Sequence, residues 1–160
     1  MSVCLTILIG LGNEYRQDDG VGIYIVRQIV KSHSENITAL EYSGEGVDLI
    51  EKWKDYKRAY IFDAVCSGSL PGTIYRFTTK DNHLPESAFY CSTHALSIVE
   101  VIRLAQTIEQ IPREVIIFGV EAGSLEHGTG LSQEVIKGAE EIIDRVMKEL
   151  RCLQIVNNSC

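Results

Sequence analysis

Three places in the sequence carry polar side chains able to do chemistry together: Asp18-Asp19 near the start, Asp63 at the end of an apolar run, and Ser92-Thr93-His94 before a helical stretch. Two carboxylates and an imidazole converging on one crevice can bind a divalent metal with coordination positions left open. The same groups can supply a general base for attack by water. Glu121, Glu126 and His127 form a fourth polar group further along the chain. Each candidate also has a purely structural reading. Asp18 and Asp19 can cap a helix and complement its dipole. His94, in a first helical turn, can simply be solvated or hydrogen-bonded. Asp63 follows Tyr60-Ile61-Phe62, and a carboxylate there must be paired or near solvent.

These residues meet only if the intervening chain places them on one edge of the fold. Val3 to Leu11 is a continuous apolar run ending in Gly10-Leu11-Gly12-Asn13, which reads as a buried strand. Val21, Ile25, Val26, Ile29 and Val30 recur at helical spacing and predict a helix from about Asp19 to Ser32. Ile37 to Tyr42 reads as a strand, Val47 to Trp53 as a short helix, and Arg58 to Asp63 as a third strand. Pro71-Gly72 marks a turn before a β-branched and aromatic strand, Thr73 to Thr78. Asp81 to Ser92 reads as a loop. A helix from about His94 to Thr107, a buried strand from Glu114 to Val120 and a long helix carrying Val135, Ala139, Ile142, Val146 and Leu150 follow. Ser132 is the expected N-cap of that last helix. Arg151 to Cys160 lose the pattern and are expected to fray.

Strands and helices alternate, so the expected architecture is a three-layer α/β/α sandwich around a mainly parallel twisted sheet of about five strands. The segment after Pro71-Gly72 adds an antiparallel edge strand. With no repeat, linker or low-complexity segment, residues 1–160 read as one domain. In such sheets ligands bind beyond the C-terminal strand ends, and Asp19, Asp63 and His94 all follow strands on that side.

Composition narrows the partners. A chain of 160 residues with 45% hydrophobic and 23% charged residues has enough apolar mass for one core. Its formal charge of −7 disfavours phosphate backbones, so no nucleic-acid partner is expected. The N-terminal residues lack a signal-peptide pattern, and no apolar run approaches the roughly 20 residues that span a bilayer. The expectation is a cytoplasmic protein with no membrane partner. Cys4, Cys66, Cys91, Cys152 and Cys160 are odd in number and show no CxxC spacing. They form neither a zinc signature nor a disulfide framework, and most are expected to be reduced thiols. Gly10-Leu11-Gly12, with Glu41 ending the second strand, hints at a dinucleotide site. The third glycine of that fingerprint is replaced by Tyr15, within a bulky Glu14-Tyr15-Arg16-Gln17 loop. The glycines then serve a tight strand-to-loop turn.

Four blocks carry a resemblance to a known family. Ile9-Gly10-Leu11-Gly12-Asn13 followed by Asp18-Asp19-Gly20-Val21-Gly22 resembles the opening motif of hydrogenase maturation proteases. Asp63-Ala64-Val65, with Ser67-Gly68 and Pro71-Gly72-Thr73, resembles that family's central aspartate segment. Ser92-Thr93-His94-Ala95-Leu96 is similar to its histidine motif. Phe118-Gly119-Val120-Glu121, with Gly130-Leu131-Ser132, resembles its last block. Order and spacing agree over roughly residues 5 to 150.

The resemblance implies that Asp19, Asp63 and His94 are the metal-contacting and catalytic positions. Many members carry a glutamate at the first of these, and the shorter Asp19 leaves Asp18 as a rival. Ser43-Gly44-Glu45-Gly46 stands where many members have a Gly-Thr pair, and looks like a subgroup serving cytoplasmic hydrogenases. The implied activity is an endopeptidase that removes the C-terminal extension of a nickel-loaded nickel–iron hydrogenase large subunit. The nickel is supplied by the bound substrate, and no tightly held metal of the chain's own is expected. The implied partner is the large-subunit precursor, and the chain itself is expected to be a monomer. Two other readings remain open: a non-catalytic metal-sensing chaperone of hydrogenase assembly, and a nucleotide-binding α/β enzyme.

Overall fold

The apolar runs become the middle layer. In the computed structural model, which describes residues 5–32, 37–43, 46–81, 86–89 and 96–158, the strands are β1 (Thr6–Leu11), β2 (Ile37–Tyr42), β3 (Arg58–Val65), β4 (Ile74–Thr78) and β5 (Glu114–Glu121). They form one sheet in the order β2-β1-β3-β5-β4. The first four in that order run parallel, with Thr6 to Gly10 of β1 opposite Arg58 to Phe62 of β3. β4 pairs antiparallel with β5 at the edge, as the Pro71-Gly72 turn implies. The three central strands are buried on both faces, which is why they read as unbroken apolar runs rather than alternating ones.

Among the described residues four helices cover the sheet: α1 (Val21–Ser32), α2 (Asp48–Trp53), α3 (Ile98–Thr107) and α4 (Gln133–Asn158). Alternate residues of β1 face opposite layers. Leu8 packs with Val21, Ile25 and Ile29 of α1 and with Val135, Ala139 and Ile142 of α4. Ile7 and Ile9 pack with Leu49 and Trp53 of α2 and with Val99 and Ile102 of α3. The fold is therefore the three-layer sandwich expected from the sequence. α3 begins with a capping box, in which Ser97 and Glu100 exchange side-chain bonds with each other's N–H.

Three details depart from the sequence reading. α4 continues through Asn158 instead of fraying after Leu150. Leu153, half-buried against the α1 and α4 layer, carries the stripe of Val146 and Leu150 one turn further. The loop expected between Asp81 and Ser92 contains a short 3₁₀ turn, Glu86–Phe89, that buries Phe89 in the core. Cys66, just past β3, is disulfide-bonded while Cys152 is free. The spacing of the cysteines gave no sign of that bond; a single disulfide still leaves most of the five cysteines outside it.

Candidate active site

β1 and β3 are neighbours, and both deliver a carboxylate near their C-terminal ends. After β1 the chain turns at Gly12, whose φ of +126° suits only glycine. A Cβ there would stand 1.9 Å from the carbonyl oxygen of Asp19. The chain then passes through a 3₁₀ turn, Gln17–Gly20, into α1. Gly22, in the first turn of α1, lies directly on the sheet. A Cβ on it would fall 2.3 Å from the Phe62 carbonyl oxygen and 2.4 Å from that of Leu11. These two bare glycines let Asp18 and Asp19 sink beside β3, and both are buried.

The two aspartates meet different surroundings. The Asp18 carboxylate accepts four hydrogen bonds. Gly123 N–H and Ser124 N–H donate to Oδ2 at 2.9 Å, Ser132 Oγ donates to Oδ2 at 3.0 Å, and Ser132 N–H donates to Oδ1 at 2.7 Å. Asp18 thereby ties the loop after β1 to the loop after β5 and to the start of α4. Ser132 stands at the helix start as expected, since its carbonyl accepts the Ile136 N–H. Its hydroxyl is turned to Asp18 rather than to the helix.

Asp19 faces the other way. Its Oδ2 accepts Asn13 N–H at 3.2 Å and lies 3.6 Å from the Arg16 guanidinium. Asp63 sits in β3 opposite Gly119 of β5, two residues before the strand ends at Val65. Among the described residues its carboxylate accepts one hydrogen bond, from Ala64 N–H at 2.8 Å. Burial pushes its pKa up to about 8, the negative charge of Asp19 adds to the rise, and the Ala64 N–H opposes it. Asp19 and Asp63 are thus within electrostatic reach, and of the Asp18–Asp19 doublet it is Asp19 that forms the pair.

The remaining candidates divide. His94 lies outside the described residues. Glu126 and His127 are exposed on the loop after β5. Among the described residues no third His, Cys, Asp or Glu joins the acid pair as a metal-binding group. The pair is buried, with Asp19 at 2% and Asp63 at 5% exposure, where the sequence reading expects a crevice open to solvent. The reason is the depth of Asp63 within β3 and the close seating of α1. Glu121, named in the sequence without a role, is a second buried and fully used carboxylate. It accepts Ser67 N–H and Gly68 N–H at 2.9 Å and the Ser67 hydroxyl at 2.7 Å. Its place directly after five apolar residues was the only signal in the sequence that it must be bonded.

The loop where a nucleotide phosphate would need bare backbone is occupied. Gln17 N–H donates to the Gly128 carbonyl, Gly128 N–H donates to the Tyr15 carbonyl, and Asp18 fills the space beneath. What the arrangement offers instead is a buried, doubly acidic point at the C-terminal edge of a parallel sheet, a counterpart for a cation.

A family model described as hydrogenase maturation protease matches residues 23–149, most of the chain. The chain belongs to the hydrogenase maturation protease family. Its relatives include the hydrogenase expression/formation protein HupD of Rhodobacter capsulatus, 27% identical over 150 residues that cover 91% of this chain and 70% of the relative. HoxM of Cupriavidus necator is 28% identical over 141 residues, covering 86% and 69%. The hydrogenase maturating endopeptidase HybD from E. coli superposes with a TM-score of 0.77 and 24% identity over 91% of each chain, which bears on the fold. The protease is accordingly a peptidase of hydrogenase maturation, on the family's α/β scaffold.

Proposed function

We propose that the protease removes the C-terminal extension of a nickel-loaded nickel–iron hydrogenase large subunit, with Asp19, Asp63 and His94 as the residues that meet the metal. The observation that carries this reading is the burial of both Asp19 and Asp63 near the sheet's C-terminal edge, within electrostatic reach of each other. Ionising Asp63 beside the Asp19 carboxylate out of water is costly, and a cation is the partner that offsets that cost. The cation belongs to the substrate. Two carboxylates and an imidazole are fewer than the four ligands of a closed structural site, so the chain needs no metal to fold. An immature subunit without nickel offers nothing to the acid pair, which makes metal loading the condition for cutting. At the bound centre either a carboxylate takes the proton of the attacking water or the metal polarises the scissile carbonyl. We place this reaction in the cytoplasm; no described helix is long and apolar enough to cross a membrane.

The test is incubation of the purified chain with nickel-loaded and nickel-free large-subunit precursor, read by mass spectrometry. Shortening of the loaded precursor alone is expected. Equal cutting of both forms would contradict the metal-gated reading, and binding without any cutting would favour a chaperone.

A further inference from the structure

Cys66 stands directly past β3, is exposed, and is one half of a disulfide. Its partner follows from reach, because disulfide-linked Cα atoms are at most about 7 Å apart. Cys152 is free. Cys4 adjoins Leu5, whose carbonyl accepts Lys57 N–H and Arg58 N–H at the opposite end of β3. β3 is 8 residues long, about 26 Å at ~3.3 Å per residue, which puts Cys4 out of range. Cys160 follows α4. That helix starts beside Asp18, runs back along the sheet until Glu149 accepts the Tyr60 hydroxyl at 2.8 Å, and continues away to Asn158. The chain after Asn158 can return at most about 7 Å, against roughly 20 Å of strand between Tyr60 and Cys66.

Cys91 remains. It comes shortly after Ala88, whose carbonyl accepts the Cys66 N–H at 2.9 Å. The step from Ala88 to Cys91 spans at most about 11 Å, so this is the cysteine that can close the bond. Cys91 itself lies outside the described residues. In sequence the two half-cystines bracket the proposed site: Asp63-Ala64-Val65-Cys66 on one side, Cys91-Ser92-Thr93-His94 on the other.

We infer that Cys66 and Cys91 form a redox-sensitive staple that positions His94 for the reaction. This rests on the protease reading above. Described contacts fix the chain on both sides of residues 90–95: Phe89 is in the core, and Ser97 caps α3. With the bond closed, the span that carries His94 shortens to 92–95 and starts from a residue tied to the end of β3. A shorter span between fixed points has less conformational freedom to lose when the imidazole is set beside a metal.

The cytoplasm, where we place the reaction, keeps thiols reduced, and disulfides formed there are mostly transient or redox-sensing. Glutathione disulfide is a sufficient oxidant. The exposed Cys66 thiolate attacks one of its sulfurs and releases one glutathione. The Cys91 thiolate then attacks the Cys66 sulfur of the mixed disulfide and releases the second. Two thiols of the chain are oxidised, one glutathione disulfide is reduced, and the two protons end on the two glutathione thiols. The oxidised chain is the form competent to cut.

The experiment poises the wild-type chain, Cys66→Ser, Cys91→Ser and Cys152→Ser at graded ratios of glutathione to glutathione disulfide. Each sample is alkylated, digested without reduction and mapped by mass spectrometry, and its trimming of nickel-loaded precursor is timed. A peptide cross-linked through Cys66 and Cys91 is expected in wild type and in Cys152→Ser. Their kcat should fall on the order of tenfold as that peptide disappears, with one midpoint for both readouts and KM unchanged. Cys66→Ser and Cys91→Ser should trim at the reduced rate at every ratio. Reduced and oxidised wild type share one sequence, so the comparison stands even where a serine variant unfolds. A cross-link from Cys66 to another cysteine, or Cys66 alkylated at every ratio, overturns the proposal. So does a rate that ignores the mapped cross-link, which leaves the protease reading standing, or one that varies with glutathione equally in the serine variants. No trimming of loaded precursor by any form removes the protease reading, and the staple's role with it.

Discussion

Asp18 and Asp19 are adjacent, identical in chemistry and almost equally buried, yet they sit in opposite kinds of environment. Asp18, like Glu121, is surrounded by N–H and hydroxyl donors from distant parts of the chain. Asp19 is set against another carboxylate, Asp63, whose one described donor is its own neighbour's N–H. A buried charge surrounded by donors holds loops together. A buried acid set beside a carboxylate holds its proton, and ionising it costs stability unless a cation takes the proton's place. The first kind braces the loops at the sheet's C-terminal edge, and the second kind is the candidate site proposed above.

The contrast can be broken first at the acid pair. Asp19→Ala and His94→Ala are expected to reduce processing of nickel-loaded precursor by about 10²–10³-fold or more, with the chain still folded by circular dichroism. Retention of near-normal rates in either variant would move the reaction centre elsewhere. Asp18→Ala should do the reverse of a site mutation. It leaves Gly123 N–H, Ser124 N–H and Ser132 N–H without their acceptor, and should cost about 3 kcal/mol in denaturant unfolding. A melt unchanged from wild type would show that those donors find other partners.

Glu121→Gln is a gentler version of the same test. The amide keeps one acceptor oxygen but presents a donor to the Ser67 and Gly68 N–H groups or to the Ser67 hydroxyl. A loss of about 1–2 kcal/mol is expected, with faster limited proteolysis within 66–70. Smallest of all should be His127→Ala, on the exposed loop after β5. It should stay within about 0.5 kcal/mol and leave processing intact. A clear loss of activity there would bring the 126–127 turn into the site.

Much of this was legible in the sequence because burial on both faces leaves a plain trace. β1, β3 and β5 read as unbroken apolar runs, and Pro71-Gly72 announced the antiparallel edge. The family blocks pointed to Asp19, Asp63 and His94; Asp19 lies within electrostatic reach of Asp63, and His94 lies outside the described residues. Other features left no such trace. Which of Asp18 and Asp19 turns inward depends on Gly12 and Gly22 letting α1 lie on the strands, a three-dimensional packing with no periodicity. The work of Asp18 depends on N–H groups more than a hundred positions away. Asp63 was legible as a strand-end acid but not as a buried one, because β3 runs two residues past it. The continuation of α4 was hidden because past Leu150 Leu153 packs on the core while Ile155 and Val156 stand exposed, so the apolar residues there do not follow one stripe.

The most direct measurement is a thermal melt of Asp63→Asn across pH, run beside a cleavage assay on nickel-loaded precursor. In the folded chain the pKa of Asp63 is raised from 3.8 to about 8. The folded state therefore holds the proton more tightly than the unfolded one. The resulting stability is fully present below about 3.8 and is lost as pH rises through about 8. Asparagine resembles the neutral acid at every pH. The variant should match wild type in acid and melt a few degrees higher, on the order of 1–2 kcal/mol, above neutrality, while trimming no precursor. A variant that trims at the normal rate, or that unfolds more easily than wild type at pH 8, would contradict the assignment of Asp63 to the reaction rather than to the core.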